Sequence, residues 1–247
     1  MIENGALIDV VDKYGQTALH FAAKKGYINI VKLLVDKGAI IDAKDSQYSV
    51  TPLHVAATVG HVEIVEYFLA NGATIDIKNK NNQTPLHFAV REGHLEIVKR
   101  LIENGAAINE KESKYGYTAL YIAAKNGHLK IAKFLIKNGA QIDSSDNENC
   151  APLVIAIKKG HLDVADYLSE TKKRKAENVP EEILSSKDPC VVCLEPRNEL
   201  YVLLPCGHTS LCESCCIKVI YKENHSKCPT CRKTIKSYNK IFFQKPV

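Results

Sequence analysis

The sequence predicts a mainly α chain in two parts: a solenoid of stacked helix pairs, then a small domain held together by its own cysteines. Three observations predict it. Related tetrads, Thr17-Ala-Leu-His20, Thr51-Pro-Leu-His54, Thr84-Pro-Leu-His87, Thr118-Ala-Leu-Tyr121 and Ala151-Pro-Leu-Val154, begin 34, 33, 34 and 33 residues apart. A fixed period of that length marks a repeat architecture. Each tetrad is followed by a glycine pair (Gly26-Tyr27, Gly60-His61, Gly93-His94, Gly127-His128, Gly160-His161) and then an apolar stripe such as INIVKLLVDKGA. Finally, eight of the nine cysteines fall between Cys190 and Cys231.

Each element has a local cause. Threonine caps a helix by accepting from its first free N–H groups, and proline fits the first turn, where its missing N–H had no helical partner. Every tetrad therefore starts a helix. The glycine that follows accepts the left-handed backbone that ends one. The glycines at 38, 72, 105 and 139 end the second helix of each pair in the same way. Neither short helix buries its apolar face alone, so the pairs must stack on one another. Seven of the nine histidines, at 20, 54, 61, 87, 94, 128 and 161, recur at repeat positions and are expected to hydrogen-bond neighbouring loops. The opening ENGALID reads as the end of an earlier unit. The fifth unit, with Asp163 and Asp166 in its second helix, suits a terminal cap.

This pattern resembles the ankyrin repeat, over residues 1–170. The resemblance implies a binding surface rather than a reaction, with partners held along the hairpin tips and the exposed side of the first helices. Substrate-contact candidates on the tips are Tyr14, Tyr48, Lys80, Tyr115 and Tyr117. On the helix side they are Arg91, with Lys24, Lys125 and Lys158 at the same repeat offset. Exposed tyrosines are favoured anchors at protein interfaces.

Residues 171–187 break the period and are read as a basic, polar linker. Lys172-Lys173-Arg174-Lys175 fits both a nuclear-localisation pattern and a solvated helix end whose cations favour the helix C-terminus. No run approaches the roughly 20 apolar residues of a membrane span, and the start lacks a signal-peptide pattern. The expected address is the cytoplasm, with the nucleus as the alternative that the basic run raises. There, clustered cysteines read as metal ligands rather than disulfides. The net charge of +5 lies wholly in the tail: residues 1–170 hold 19 Lys and Arg against 20 Asp and Glu, and residues 171–247 hold 14 against 8. Seven thiolates on two zinc ions would lower the tail's +6 to about +3, which disfavours nucleic acid as a partner.

The tail runs Cys190-x2-Cys193-x12-Cys206-x1-His208-x3-Cys212-x2-Cys215-x12-Cys228-x2-Cys231. Eight thiol and imidazole ligands make two closed tetrahedral zinc sites, and closed sites are structural. Cys216 is an alternative to Cys215; otherwise Cys216 and Cys150 pack as small apolar groups, and His225 falls in a loop. The spacing resembles the RING finger, at residues 188–235. That resemblance implies a cross-brace, with Cys190, Cys193, Cys212 and Cys215 on one zinc and Cys206, His208, Cys228 and Cys231 on the other.

It also implies ubiquitin ligation without a nucleophile on the ligase: the domain docks a ubiquitin-conjugating enzyme and orients its bound ubiquitin, which is catalysis by positioning. Val192, Val219 and Pro229 fall where the family contacts the conjugating enzyme, Val219 standing where some members carry tryptophan. Arg232 falls where active members bridge that enzyme and ubiquitin. LLPCGH and CPTCRKTIKSYNKIFF are most similar to the RINGs of inhibitor-of-apoptosis proteins, which dimerise and contact ubiquitin through a C-terminal aromatic. In the tail, 236–247, Phe242 or Phe243 either plays that part or closes a last strand on the zinc domain. The expectation is a ligase whose ankyrin array binds an unnamed protein substrate; the alternative is a non-catalytic adaptor or scaffold.

Overall fold

The computed structural model describes residues 7–177, 201–203 and 208–211, with side chains through residue 172. The chain divides into two compact units, Met1–Cys150 and Ala151–Val247. Among the described residues the first unit holds four helix pairs: α1 (Ala18–Lys25) with α2 (Ile28–Asp36), α3 (Pro52–Val59) with α4 (Val62–Ala70), α5 (Pro85–Glu92) with α6 (Leu95–Glu103), and α7 (Ala119–Asn126) with α8 (Leu129–Lys137). First helices stack on first helices and second on second, so every pair touches its neighbours in sequence. The mainly α class read from the sequence is the class observed.

The repeated letters have repeated tasks. In the first three pairs the N–H of the capping threonine donates to Nδ1 of the tetrad histidine, at 3.1 Å in His20, 3.2 Å in His54 and 3.1 Å in His87. The other nitrogen, Nε2, then carries the proton and donates across to the next hairpin, to the carbonyls of Val50 (3.0 Å), Gln83 (3.0 Å) and Tyr117 (3.2 Å). One side chain thus closes a helix start and ties it to the next repeat. All three rings are buried.

A second set of histidines sits on the glycines. Gly60 ends α3 at φ 99°, and the ring of His94 lies where a Cβ on Gly60 would be, 2.7 Å from it. His94 Nε2 donates to the Thr58 carbonyl at 2.9 Å, and His128 Nε2 to the Arg91 carbonyl at 3.2 Å. The glycine is needed twice there, for its backbone and for its bareness.

The core is a ladder of aliphatic residues at fixed offsets. Ile64 and Ile97 are 1% and 0% exposed, whereas Ile30 at the same offset in the first pair is 46% exposed. The outer face of α2 presents Tyr27, Ile30 and Leu33 to solvent.

In the second unit, α9 (Pro152–Lys158) packs on α10 (Leu162–Glu177), and β1 (Tyr201–Leu203) pairs antiparallel with β2 (His208–Leu211). At 16 residues α10 is longer than the nine of α8, and its backbone runs through the basic residues 172–175. Among the described residues no helix is long and apolar enough to cross a membrane.

Candidate functional surfaces: the hairpin tips and the cysteine-rich tail

The hairpins between helix pairs are built by one side chain each. Asp12, Asp45, Asn79, Glu112 and Asp146 recur at one offset, five or six residues before the tetrad. Asp12 Oδ1 accepts from the N–H of Tyr14 (2.8 Å) and Gln16 (2.9 Å), Asp45 Oδ1 from Tyr48 (2.8 Å) and Val50 (3.2 Å), and Asn79 Oδ1 from Asn81 and Gln83 (both 2.9 Å). Asp146 Oδ1 accepts from Glu148 at 2.9 Å and Cys150 at 2.8 Å. The turn folds around an internal acceptor, and its outward side chains are left for other work.

Sequence reasoning missed this series, although its 33- to 34-residue spacing is readable. Each hairpin then joins the next by a backbone hydrogen bond: the N–H of Ser46, Lys80, Ser113 and Asn147 donates to the carbonyl of Tyr14, Tyr48, Asn81 and Tyr115, at 2.8–2.9 Å. The tips form a continuous edge along the first unit.

The expected contact residues fall into two kinds on that edge. Tyr14, Tyr48 and Tyr115 are exposed at the first, second and fourth tips. Lys80, by contrast, spends its ammonium on the Ser46 and Gln47 carbonyls, at 2.7 and 2.9 Å, and serves as a clamp between hairpins. Tyr117 lies inside a ring ladder: it stacks on Tyr115 at 5.0 Å and on the buried Tyr121 at 4.3 Å. Lys114 Nζ stands 4.9 Å from the Tyr115 ring centre and Lys125 Nζ 4.5 Å from that of Tyr117. Arg91 lies over Phe88 at 5.1 Å. Lys24 is exposed at the end of α1, and Lys158 at the end of α9 in the second unit.

Burial sets the titration of this surface. It pushes the His54 imidazole down to about 4, against the opposing hydrogen bond to the Gln83 carbonyl. His20 and His87 are lowered for the same reason. These rings are neutral at pH 7, as donation from Nε2 and acceptance at Nδ1 require. Burial, followed by the hydrogen bond to Asp146, raises the phenol of Tyr121, which stands where the first three tetrads have histidine.

His208 is the first residue of β2, and its Cα pairs with that of Leu203. The other zinc-ligand candidates, Cys190, Cys193, Cys206, Cys212, Cys215, Cys228 and Cys231, lie outside the described residues. So do Val192, Val219, Pro229, Arg232, Phe242, Phe243, Cys216 and His225. Among the described residues no cluster of three or more His, Cys, Asp or Glu could hold a metal. Seven thiols and one imidazole are the donor chemistry zinc takes in closed sites, so the residues of the tail fit that ion.

Overlapping matches to the family model "Ankyrin repeats (3 copies)" cover residues 1–79, 44–112, 68–146 and 110–178. The chain belongs to the ankyrin-repeat family. This ankyrin-repeat chain also carries a RING-type finger: residues 186–238 match the model "Zinc finger, C3HC4 type (RING finger)". The order of ligands in the tail, three Cys, one His and four Cys, is the order that description names.

Curated relatives fall on both sides of this pairing. The chain is 48% identical over 42 residues to a putative ankyrin repeat protein, FPV022, of fowlpox virus (strain NVSL), covering 17% of this chain and 7% of the relative. It is 41% identical over 69 residues to mitochondrial E3 ubiquitin protein ligase 1 of Drosophila melanogaster, covering 28% and 18%. It is 35% identical over 77 residues to apoptosis inhibitor 1 of Autographa californica nuclear polyhedrosis virus, covering 30% and 25%. Each match thus spans a quarter or less of the relative's own length.

Proposed function

We propose that this chain is a RING-type ubiquitin ligase that binds a protein substrate through its ankyrin array. The observation that carries the proposal is the RING match over residues 186–238, which contains all eight ligands in C3HC4 order and, directly after the last, Arg232. The relatives named as an E3 ligase and an apoptosis inhibitor support a ligase or adaptor role for the pair of domains.

Two zinc ions, held as Cys190/Cys193/Cys212/Cys215 and Cys206/His208/Cys228/Cys231, would supply folding energy to a segment too short to build a large core alone. The chemistry belongs to the conjugating enzyme. Val192, Val219 and Pro229 offer it apolar contacts. The Arg232 guanidinium donates to conjugating enzyme and ubiquitin at once, holding the thioester where a lysine can attack it. A closed metal site leaves no vacancy for water or substrate, so the ligase contributes position alone. Phe242 or Phe243 would reach ubiquitin across a homodimer of the RING.

The test is self-ubiquitination with activating enzyme and a panel of conjugating enzymes, comparing wild type with Arg232→Ala and Val192→Ala. Ladders from the wild type that vanish in both variants, with zinc content unchanged, support the ligase. A zinc-loaded wild type that yields no ladder with any conjugating enzyme would leave the adaptor.

A further inference from the structure

Between the third and fourth helix pairs the edge opens into a cleft of about 260 Å3. That is room for one or two side chains, below the usual range of enclosed small-molecule sites, so the cleft suits one anchor of a longer ligand. Its cations are Arg91 at the end of α5, Lys125 at the end of α7 and Lys114 on the hairpin tip. Arg91 and Lys125 occupy the same repeat offset and project from adjacent first helices. Among the described residues Arg91 has no carboxylate partner.

One acidic residue lines the cleft, Glu112, and its carboxylate is spent. It is buried and accepts the N–H groups of Lys114, Tyr115 and Tyr117. It holds the wall in shape. The hydrogen bond to the Tyr115 side chain, and then this negative charge, favour the ammonium form of Lys114, and the three cations of the cleft outnumber this one carboxylate. Beside the cations, the exposed ring of Tyr115 continues into Tyr117, giving an apolar ledge next to a charged floor.

From this geometry we infer that the cleft is the primary anchor for substrate and that its occupant is an extended acidic peptide segment. A carboxylate side chain seats between Arg91 and Lys125, and an apolar neighbour lies on the Tyr115–Tyr117 ledge. Guanidinium and ammonium groups flanking a carboxylate form charge-assisted hydrogen bonds, roughly twice as strong as neutral ones. A polyanion is a poorer occupant, because residues 1–170 hold 20 acidic against 19 basic side chains and offer a long phosphate backbone no net positive charge outside the cleft. The inference rests on the reading of the ankyrin array as the substrate-binding part of a ligase, and it names the substrate's chemistry.

The chain contains no tryptophan, so a peptide with one tryptophan reports its own binding. The probe is a synthetic peptide of alternating glutamate and leucine with a central tryptophan, titrated into the full chain. Its controls are the counterpart with glutamine for glutamate and a single-stranded oligouridylate. The glutamate peptide should bind with a blue-shifted emission and about tenfold more tightly than the glutamine one, the worth of one hydrogen bond to a charged group. Arg91→Gln and Lys125→Gln should each weaken it about tenfold, and Lys130→Gln, exposed on α8, should not.

Tyr115→Ala removes an exposed ring, and with unfolding temperature unchanged it should weaken binding while leaving the glutamate preference. Equal binding of both peptides, or wild-type binding by the Arg91 and Lys125 variants, overturns the inference. Tighter binding of the oligouridylate overturns it too and assigns the cleft to nucleic acid. The outcome is separable from the ligase reading: peptide binding without ubiquitin transfer keeps the anchor and loses the ligase, and transfer without acidic preference does the reverse.

Discussion

Single side chains in this array act at two levels, and their substitutions should separate the levels. Gly60 and Gly72 both sit at positive φ, 99° and 85°, but a Cβ on Gly60 would meet the His94 ring at 2.7 Å and one on Gly72 would meet nothing within 4 Å. Gly72→Ala should therefore cost about 1 kcal/mol of backbone strain, and Gly60→Ala about 2–3 kcal/mol, because the ring must also shift. Chemical denaturation of the two variants measures the difference. The buried histidines give a pH signature. An unfolded histidine takes a proton near pH 6.5, while folded His54 resists until about 4, so between those values the unfolded chain binds more protons. Stability should fall as pH drops through that window, by up to roughly 1.4 kcal/mol per pH unit for His54, with His20 and His87 adding in the same direction. His54→Gln should flatten the profile in a pH series of melting temperatures. A fourth pair that kept histidine would steepen it, and Tyr121 removes that contribution.

At the level of the hairpin, Glu112 carries more than one contact. Three N–H donors converge on its carboxylate, so Glu112→Ala leaves all three without their acceptor in a part-buried turn. The loss should be about 2–3 kcal/mol, and amide exchange should speed up at Lys114, Tyr115 and Tyr117 before it does in the helices. The helix starts and stops show where the sequence was legible. Thr84, Pro85, His87 and Gly93 could be read in advance because each answers a local demand of helix start or stop. The ladder of Tyr115, Tyr117 and Tyr121, and the consumption of Lys80 by carbonyls some 33 residues away, depend on how hairpins stack, and no local rule reports that. Of the two readings of Lys172–Lys175, the helix end is the one the backbone shows: the run departs from the repeat, yet its residues are good helix formers and α10 continues through them.

The whole molecule joins a binding array to a finger whose cysteine spacing needed no structure to be read. Eight ligand candidates stand out by count and interval alone, and the C3HC4 match over residues 186–238 agrees with their order, whereas the proposed acidic anchor emerges only when Arg91 and Lys125 are seen around one cleft. Because the described helix pairs are held by their own aliphatic ladder and the finger by metal, chelation should divide the molecule. Removing zinc with a chelator should abolish ubiquitin transfer while the helical circular-dichroism signal and the melting of the array stay close to their starting values. Simultaneous loss of both would show the array to depend on the metal. As proposed, this chain accelerates ubiquitin transfer by position, with no covalent step of its own. The most direct measurement is the discharge of a preloaded conjugating-enzyme–ubiquitin thioester onto free lysine, followed in a single turnover with and without the zinc-loaded chain. Faster discharge is expected with wild type, little with Arg232→Ala, and no ubiquitin thioester on any cysteine of the chain. Discharge at the uncatalysed rate across a panel of conjugating enzymes, or a ubiquitin thioester trapped on the chain itself, would contradict the proposal.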